Sequence, residues 1–241
     1  NSVGILFNGS WIDLDGGTNR IKSSASNEVT DLYPNAAAGA TVQTNPSIIK
    51  LALEGTGNTG IYFNYNGADV FKLNDYKITS TNGTGNTGLL IADGGVTLGS
   101  GTNHEITMTG GSANTGIYTN SSDALISAAT ISITGSDSSI AIFASNGGTT
   151  TSTGNITVSG GSAKGLVASG STITSSGVLN VTGTALSATD GAVGLAAMNG
   201  STLTQSGTGT TITVDGSASI AAYADGSVGT PAPTPAATTL N

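Results

Sequence analysis

Apolar positions along this chain recur as one short phrase: a small residue, an aliphatic one, then a bulky apolar one. It reads Gly60-Ile61-Tyr62, Gly88-Leu89-Leu90, Gly116-Ile117-Tyr118, Ala141-Ile142-Phe143, Gly165-Leu166-Val167, Gly194-Leu195-Ala196 and Ala221-Ala222-Tyr223. Fainter copies stand at Gly4-Ile5-Leu6 and Asp31-Leu32-Tyr33. The nine copies are separated by 27, 29, 28, 28, 25, 24, 29 and 27 residues. A period in the range of about 20 to 50 residues marks a solenoid or an array, and small variations in the step suit turns that accept insertions.

Each unit holds two further apolar segments. A weaker one includes Val70-Phe71-Lys72-Leu73, Val96-Thr97-Leu98, Leu125-Ile126, Thr172-Ile173-Thr174 and Thr202-Leu203-Thr204. The cleaner one includes Ile106-Thr107-Met108-Thr109, Ile131-Ser132-Ile133-Thr134, Ile156-Thr157-Val158-Ser159, Leu179-Asn180-Val181-Thr182 and Ile212-Thr213-Val214-Asp215. Apolar and hydroxyl residues alternate there with period two, and β-branched types are frequent, as in half-buried strands. Asn-Gly pairs (Asn8-Gly9, Asn66-Gly67, Asn82-Gly83, Asn146-Gly147, Asn199-Gly200) punctuate the joints. These residues supply the positive φ of tight corners. No 3.6-residue pattern runs long enough for an amphipathic helix, and propeller blades need longer repeats.

The spacing therefore predicts an all-β parallel β-solenoid over residues 1–226, with about nine coils of about 27 residues and three short strands per coil. Residues 227–241, with Pro231, Pro233 and Pro235, read as a linker or tail. One coil cannot bury its apolar face alone, so neighbouring coils must stack and align like residues in columns. Ile78, Ile106, Ile131, Ile156, Leu179 and Ile212 are the expected inward column. Thr79, Thr107, Ser132, Thr157 and Thr213 form one expected outward file, and Thr81, Thr109, Thr134, Ser159 and Thr182 the next.

Composition narrows the possible partners. The 241 residues are 8% charged and 37% hydrophobic, include 37 Gly and no Cys, and carry a net charge of −8. Few charges and abundant Gly resemble a disordered tract, but the regular columns argue for a fold. The acidic balance supplies no basic stripe for phosphates, so nucleic acid is an unsuitable partner. No apolar run reaches the length of a membrane-spanning helix. The chain opens inside a repeat with neither Met nor signal peptide, so a piece of a longer polypeptide is expected.

The phrases Asn58-Thr59-Gly60-Ile61-Tyr62 and Asn114-Thr115-Gly116-Ile117-Tyr118, reached through Ile-Thr-x-Thr-like strands and a Gly, carry a resemblance. Over about residues 1–226 the chain resembles the passenger domains of large Gram-negative autotransporter (type V secreted) proteins, most of all the fusobacterial-type adhesins. That resemblance implies a right-handed β-helix displayed extracellularly at the bacterial cell surface, with adhesion as its commonest task. It also implies a C-terminal outer-membrane barrel, which this sequence does not contain. Such passengers typically lack cysteine. The fold also carries proteases and esterases, so the likeness speaks for architecture more than for activity.

Catalytic chemistry has little to work with. The only histidine is His104, in Asn103-His104-Glu105, and it reads as an exposed turn residue with no nucleophile-elbow motif beside it. The acids Asp69, Asp75, Asp93, Glu105, Asp123, Asp137 and Asp190 are scattered over corners rather than clustered as a glycosidase or lyase needs. Asp15-Gly16-Gly17 and Asp93-Gly94-Gly95 lack the nonapeptide repeat of calcium-binding solenoids and read as acids capping turns. No catalytic residue, metal site or cofactor is expected.

Aromatics concentrate in one coil, where Tyr62, Phe63, Tyr65, Phe71 and Tyr76 lie among Asp69, Lys72, Asp75 and Lys77. Exposed aromatics beside charges are what a protein or carbohydrate contact uses. Tyr62, Tyr65, Asp69, Lys72, Asp75 and Tyr76 are the candidate contact residues. The alternative is a wider coil filled by larger side chains. A non-enzymatic surface segment that attaches to a host or bacterial surface protein or glycan is the expectation. Axial self-association into a filament is the main alternative, since neither end shows a polar cap. A carbohydrate-active β-helix and an ice-binding threonine face are lesser alternatives.

Overall fold

A computed structural model describes residues 3–7, 19–23, 49–53, 55–64, 71–73, 76–93, 96–98, 104–120, 124–225 and 239–240. These residues form three parallel sheets and no helix. Sheet one holds the strands of the recurrent phrase: Val3–Phe7, Thr59–Asn64, Thr87–Asp93, Thr115–Asn120, Ile140–Ser145, Lys164–Ser169, Val193–Met198 and Ile220–Asp225. Sheet two holds Phe71–Leu73, Val96–Leu98, Ala124–Ser127, Thr149–Ser152, Thr172–Ser175, Thr202–Gln205 and Thr239–Leu240. Sheet three holds Asn19–Ser23, Ile49–Leu53, Tyr76–Thr81, Glu105–Thr109, Thr130–Thr134, Ile156–Gly161, Leu179–Thr184 and Thr211–Asp215. From Thr59 onward the chain visits the sheets in strict rotation, which makes it a parallel β-solenoid with three strands per coil.

The coil count departs from the expected nine. Five full turns lead from Thr59 to Val193, and a sixth coil closes at Asp215. Upstream, Ile5 pairs directly with Ile61 and Phe7 with Phe63. Strand Val3–Phe7 already occupies that edge, so no strand fits between the two. The faint copy at Asp31-Leu32-Tyr33 lies outside the described residues. Sheet one carries eight copies of the phrase.

The aliphatic position of the phrase is the inner column of sheet one. Ile61, Leu89, Ile117, Ile142 and Leu166 pair in succession and are fully buried. The small residue before it faces Ile or Val side chains of sheet three. A Cβ on Gly165 would lie 2.3 Å from Gly194 O and 2.7 Å from a Val181 methyl. Asn82, Asn146 and Asn199 hold φ of 53°, 62° and 56°, so these three Asn-Gly corners use the left-handed region as expected.

Sheet three supplies the opposing wall. Leu51, Ile78, Ile106, Ile131, Ile156 and Leu179 form one continuous column, all 2% exposed or less. Ile212 does not join it. It pairs with Val181, two positions further on, and Thr213 consequently joins Thr182 in the second outward file while Thr211 follows Asn180 in the first. The corner explains the shift. Ser175 pairs with Gln205, and six residue steps lead from Ser175 to Val181 while seven lead from Gln205 to Ile212. The observed register needs one extra corner residue, whereas pairing Ile212 with Leu179 needs three. A shift by two preserves the inside-outside alternation, so the core tolerates it.

A buried amide ladder fixes the corner ahead of sheet one. Asn58 N donates to Asn86 Oδ1 at 2.8 Å, and Asn86 N donates to Asn114 Oδ1 at 3.0 Å. Asn114 N then donates to Ser139 Oγ at 2.9 Å, where serine takes over the position. Asn114 Nδ2 donates to Gly83 O at 2.9 Å and to Ser136 Oγ at 3.0 Å. One side chain thus joins three coils and supplies the acceptor for the buried Asn86 N–H.

Candidate interaction surfaces

Alternation decides which side chains each sheet shows to solvent. In strand Tyr76–Thr81, Tyr76, Ile78 and Ser80 are buried, while Thr79 and Thr81 are exposed and Lys77 half-buried. Tyr76 is thus an interior residue and no surface contact. Its ring lies 4.8 Å from that of His104 at 46°, and His104 is itself only 3% exposed. The expectation of an exposed turn histidine is corrected by the same parity. Tyr76 precedes Ile78 by two residues and His104 precedes Ile106 by two, so both face inward. That signal was present in the sequence.

Of the other contact candidates, Tyr62 is half-buried on sheet one, in register with Leu6 and Leu90. Lys72 occupies a sheet-two strand in register with Thr97. Tyr65, Asp69 and Asp75 lie outside the described residues. The structure therefore brings together a different set from the one the clustering of aromatics indicated.

That set is the third position of the phrase. Leu6, Tyr62, Leu90, Tyr118, Phe143, Val167, Ala196 and Tyr223 pair rung by rung in one unbroken column. It lies opposite in parity to the buried Ile117 and Ile142: Tyr62, Leu90, Tyr118 and Phe143 are half-buried and Tyr223 is exposed, whereas Val167 and Ala196 are covered, at 6% and 5% exposure. The Tyr118 and Phe143 rings stack with centroids 5.0 Å apart and planes 16° from parallel. Eight strands at about 4.8 Å make this ladder roughly 34 Å long. Beside it, Ser145 Oγ donates to Asn120 Oδ1 at 2.9 Å, and Asn199 Nδ2 donates to Ser169 Oγ at 2.8 Å. At the far end, the Tyr223 hydroxyl donates to Asp225 Oδ2 at 3.0 Å, which raises its pKa above the ordinary phenol value.

Outward threonine files occupy the other two sheets. On sheet three, Thr79, Thr107, Ser132 and Thr157 are in register, and Asn180 interrupts the file. Sheet two carries a second array that the sequence reading passed over, because strand Thr149–Ser152 contains no aliphatic residue. There Thr149, Thr172 and Thr202 form one file, and Thr151, Thr174 and Thr204 the next.

Charged groups are few and peripheral. Lys77 Nζ lies 3.0 Å from Glu105 Oε2 across the outer face of sheet three, and Thr107 Oγ1 donates to Glu105 Oε1 at 2.8 Å. The Thr107 hydroxyl first, and the Lys77 ammonium second, hold the Glu105 carboxyl below its usual pKa. A depressed folded pKa contributes stability that is present above the unfolded value and is lost as pH falls through the folded one. Glu105→Gln is therefore expected to cost less than about 1 kcal/mol at neutral pH, as for other exposed pairs. Its deficit against the parent should vanish in urea titrations below the normal carboxylate range. At the corners, Lys164 Nζ lies 3.6 Å from Asp190 Oδ1, and Ser138 Oγ donates to Asp190 Oδ2 at 3.2 Å. Among the described residues no three His, Cys, Asp or Glu side chains gather as a metal site, and no helix is long and apolar enough to cross a membrane.

No protein-family model matches the chain, and no curated protein or solved structure matches it. The β-solenoid architecture is thus established by its own strand pairing alone.

Proposed function

We propose that this chain is a rigid segment of a bacterial surface adhesin of the autotransporter passenger type, which acts by display rather than by catalysis. The observation that carries the proposal is the outer column of sheet one. The two inner columns that contain Ile61 and Ile78 keep Ile or Leu at nearly every rung, whereas this outer column changes from Tyr62 through Leu90, Tyr118, Phe143 and Val167 to Ala196 and Tyr223. Its accessible members, Tyr62, Leu90, Tyr118 and Phe143, give a partner apolar and aromatic anchors along a line, and anchors of this type carry much of the binding energy of protein contacts. A host or bacterial surface protein or glycan is the intended partner. The resemblance of the Asn-Thr-Gly-Ile-Tyr phrases to autotransporter passengers is the second support.

The test is binding of the isolated chain to immobilised extracellular-matrix proteins, bacterial cells and a glycan panel. The parent chain should bind one of these. Tyr62→Ser/Tyr118→Ser/Phe143→Ser, if its circular dichroism is that of the parent, should bind at least about tenfold more weakly. Thr107→Ala/Thr157→Ala on sheet three should bind like the parent. Undiminished binding by the sheet-one variant, or no binding by the parent, contradicts the proposal.

A filament is the second reading, favoured by one observation. Strand Ile220–Asp225 ends sheet one with a partner on one side only among the described residues, and Ile220 and Tyr223 are 41% and 37% exposed. An exposed strand edge with apolar residues is a template for axial pairing. Electron microscopy that finds only short single rods removes this reading.

A further inference from the structure

One column of sheet two changes residue type along the solenoid axis. There Leu73 pairs with Leu98. Further along the same sheet, Ser127 pairs with Ser152, Ser152 with Ser175 and Ser175 with Gln205. Ser152 and Ser175 are fully buried. Their hydroxyl oxygens and Gln205 Oε1 make no hydrogen bond to a protein group.

Neighbouring polar groups do not share this condition. Thr150 Oγ1 reaches Thr119 Oγ1 at 3.1 Å across the interior, and Gln205 Nε2 donates to Gly177 O at 2.8 Å and to Thr210 Oγ1 at 2.9 Å. Three unpartnered oxygens on consecutive rungs are thus a local feature. Buried polar atoms of this kind are as a rule satisfied, by protein or by ordered water.

Geometry and volume both favour a bridging molecule. Side chains on adjacent parallel strands repeat at about 4.8 Å, too far apart for a direct hydroxyl-hydroxyl bond. Two hydrogen bonds of about 2.8 Å through one water span up to about 5.6 Å. Serine in place of leucine, on strands at constant spacing, also withdraws two heavy atoms per rung. The adjoining inner column of sheet one shrinks in step, from Ile91 to Thr119, Ala144, Ala168 and Ala197.

We propose that the solenoid binds a file of ordered water molecules along this column, one between Ser152 Oγ and Ser175 Oγ and one between Ser175 Oγ and Gln205 Oε1. The donor sense is consistent from end to end. Ser152 donates to the first water, which donates to Ser175; Ser175 donates to the second water, which donates to Gln205 Oε1. Each water thereby gains two side-chain partners, the minimum for a buried site.

Water-oxygen magnetic relaxation dispersion on the parent chain and on Ser152→Ala/Ser175→Ala tests this, with a crystal structure of the parent to place the molecules. The parent should hold two more long-lived waters than the variant, with density within about 2.8 Å of both oxygens of each pair. An unchanged count with the variant folded overturns the proposal. So does a crystal structure in which the hydroxyls turn onto backbone carbonyls, or in which the column holds a cation that exchanges between sodium and potassium. Ser175→Thr keeps the hydroxyl and serves where the double variant does not fold; it should retain both waters, and loss of both would equally overturn the proposal.

Discussion

Replacing Asn114 by leucine is expected to lower the unfolding free energy by at least about 3 kcal/mol, a large share of a marginal total. The side chains are close in size, so the loss is one of hydrogen bonding. Asn86 N, which donates to Asn114 Oδ1 at 3.0 Å, loses its acceptor, and Gly83 O and Ser136 Oγ lose the Asn114 amide donor. Gly83 O still accepts from Ser112 N at 3.2 Å and Ser136 Oγ still meets Ser139 Oγ at 2.6 Å, so the buried Asn86 N–H is the group left without a partner. The unsatisfied amide costs about 1–3 kcal/mol, and each of the two lost side-chain hydrogen bonds adds about 0.5–1.5 kcal/mol. Asn114→Ser should be milder, because Ser139 already fills the equivalent place one coil on and accepts from Asn114 N at 2.9 Å. Urea unfolding gives the magnitude, and amide hydrogen exchange gives the location: Asn86 N–H should lose protection first. Equal stability of Asn114→Leu and the parent would show that the amide ladder contributes nothing.

The second large effect concerns the core. Ile142 is fully buried and pairs with Ile117 on one side and Leu166 on the other. Ile142→Ala is expected to cost about 3 kcal/mol, within the range of about 2–5 for such truncations. Its cavity opens onto both neighbouring coils, and in a solenoid these two interfaces hold each coil in place. Leu195→Ala should cost less, near the lower end of the range, because Leu195 is 9% exposed and pairs onward with Ala222. Urea titrations of the two variants side by side provide the check. A Leu195 deficit equal to or above that of Ile142 would mean that stability is not carried by the stacked central coils.

Much of this architecture was legible in the chain because period and parity survive in the strands of sheets one and three. Ile106, Ile131 and Ile156 stand at matching places in their alternating strands, and the structure pairs them as expected. Sheet two was harder to find. Thr149–Ser152 is made of hydroxyl residues alone, and only backbone pairing to its neighbours makes it a strand. Register was the least visible property, since it depends on corner length. Ile212 resembles Leu179 locally yet pairs with Val181, because the shorter corner wins.

The candidate site was less legible than the fold. Local clustering drew attention to the aromatics between Tyr62 and Tyr76, but neighbours along the sequence point to different faces and different sheets. Tyr76 is a core residue whose ring packs at a tilt against that of His104. The residues that do lie together, such as Tyr118 and Phe143, are one full coil apart in sequence. Reading each phrase position as a column across coils, instead of reading each coil along the chain, recovers the outer ladder from the sequence.

The central claim is that successive coils stack one strand per rung with the register described, so that outer columns form straight ladders. The chain has no cysteine, which permits clean labelling. Spin labels at Thr79→Cys paired in turn with Asn180→Cys and Thr211→Cys sample the first outward file of sheet three at four and five rungs. Pulsed dipolar spectroscopy should give narrow distributions near about 19 Å and 24 Å, lengthened alike by the label arms, with the second longer by one strand spacing of about 4.8 Å. Broad distributions, or a Thr211 pair no longer than the Asn180 pair, would contradict the stacked register and the ladders built on it.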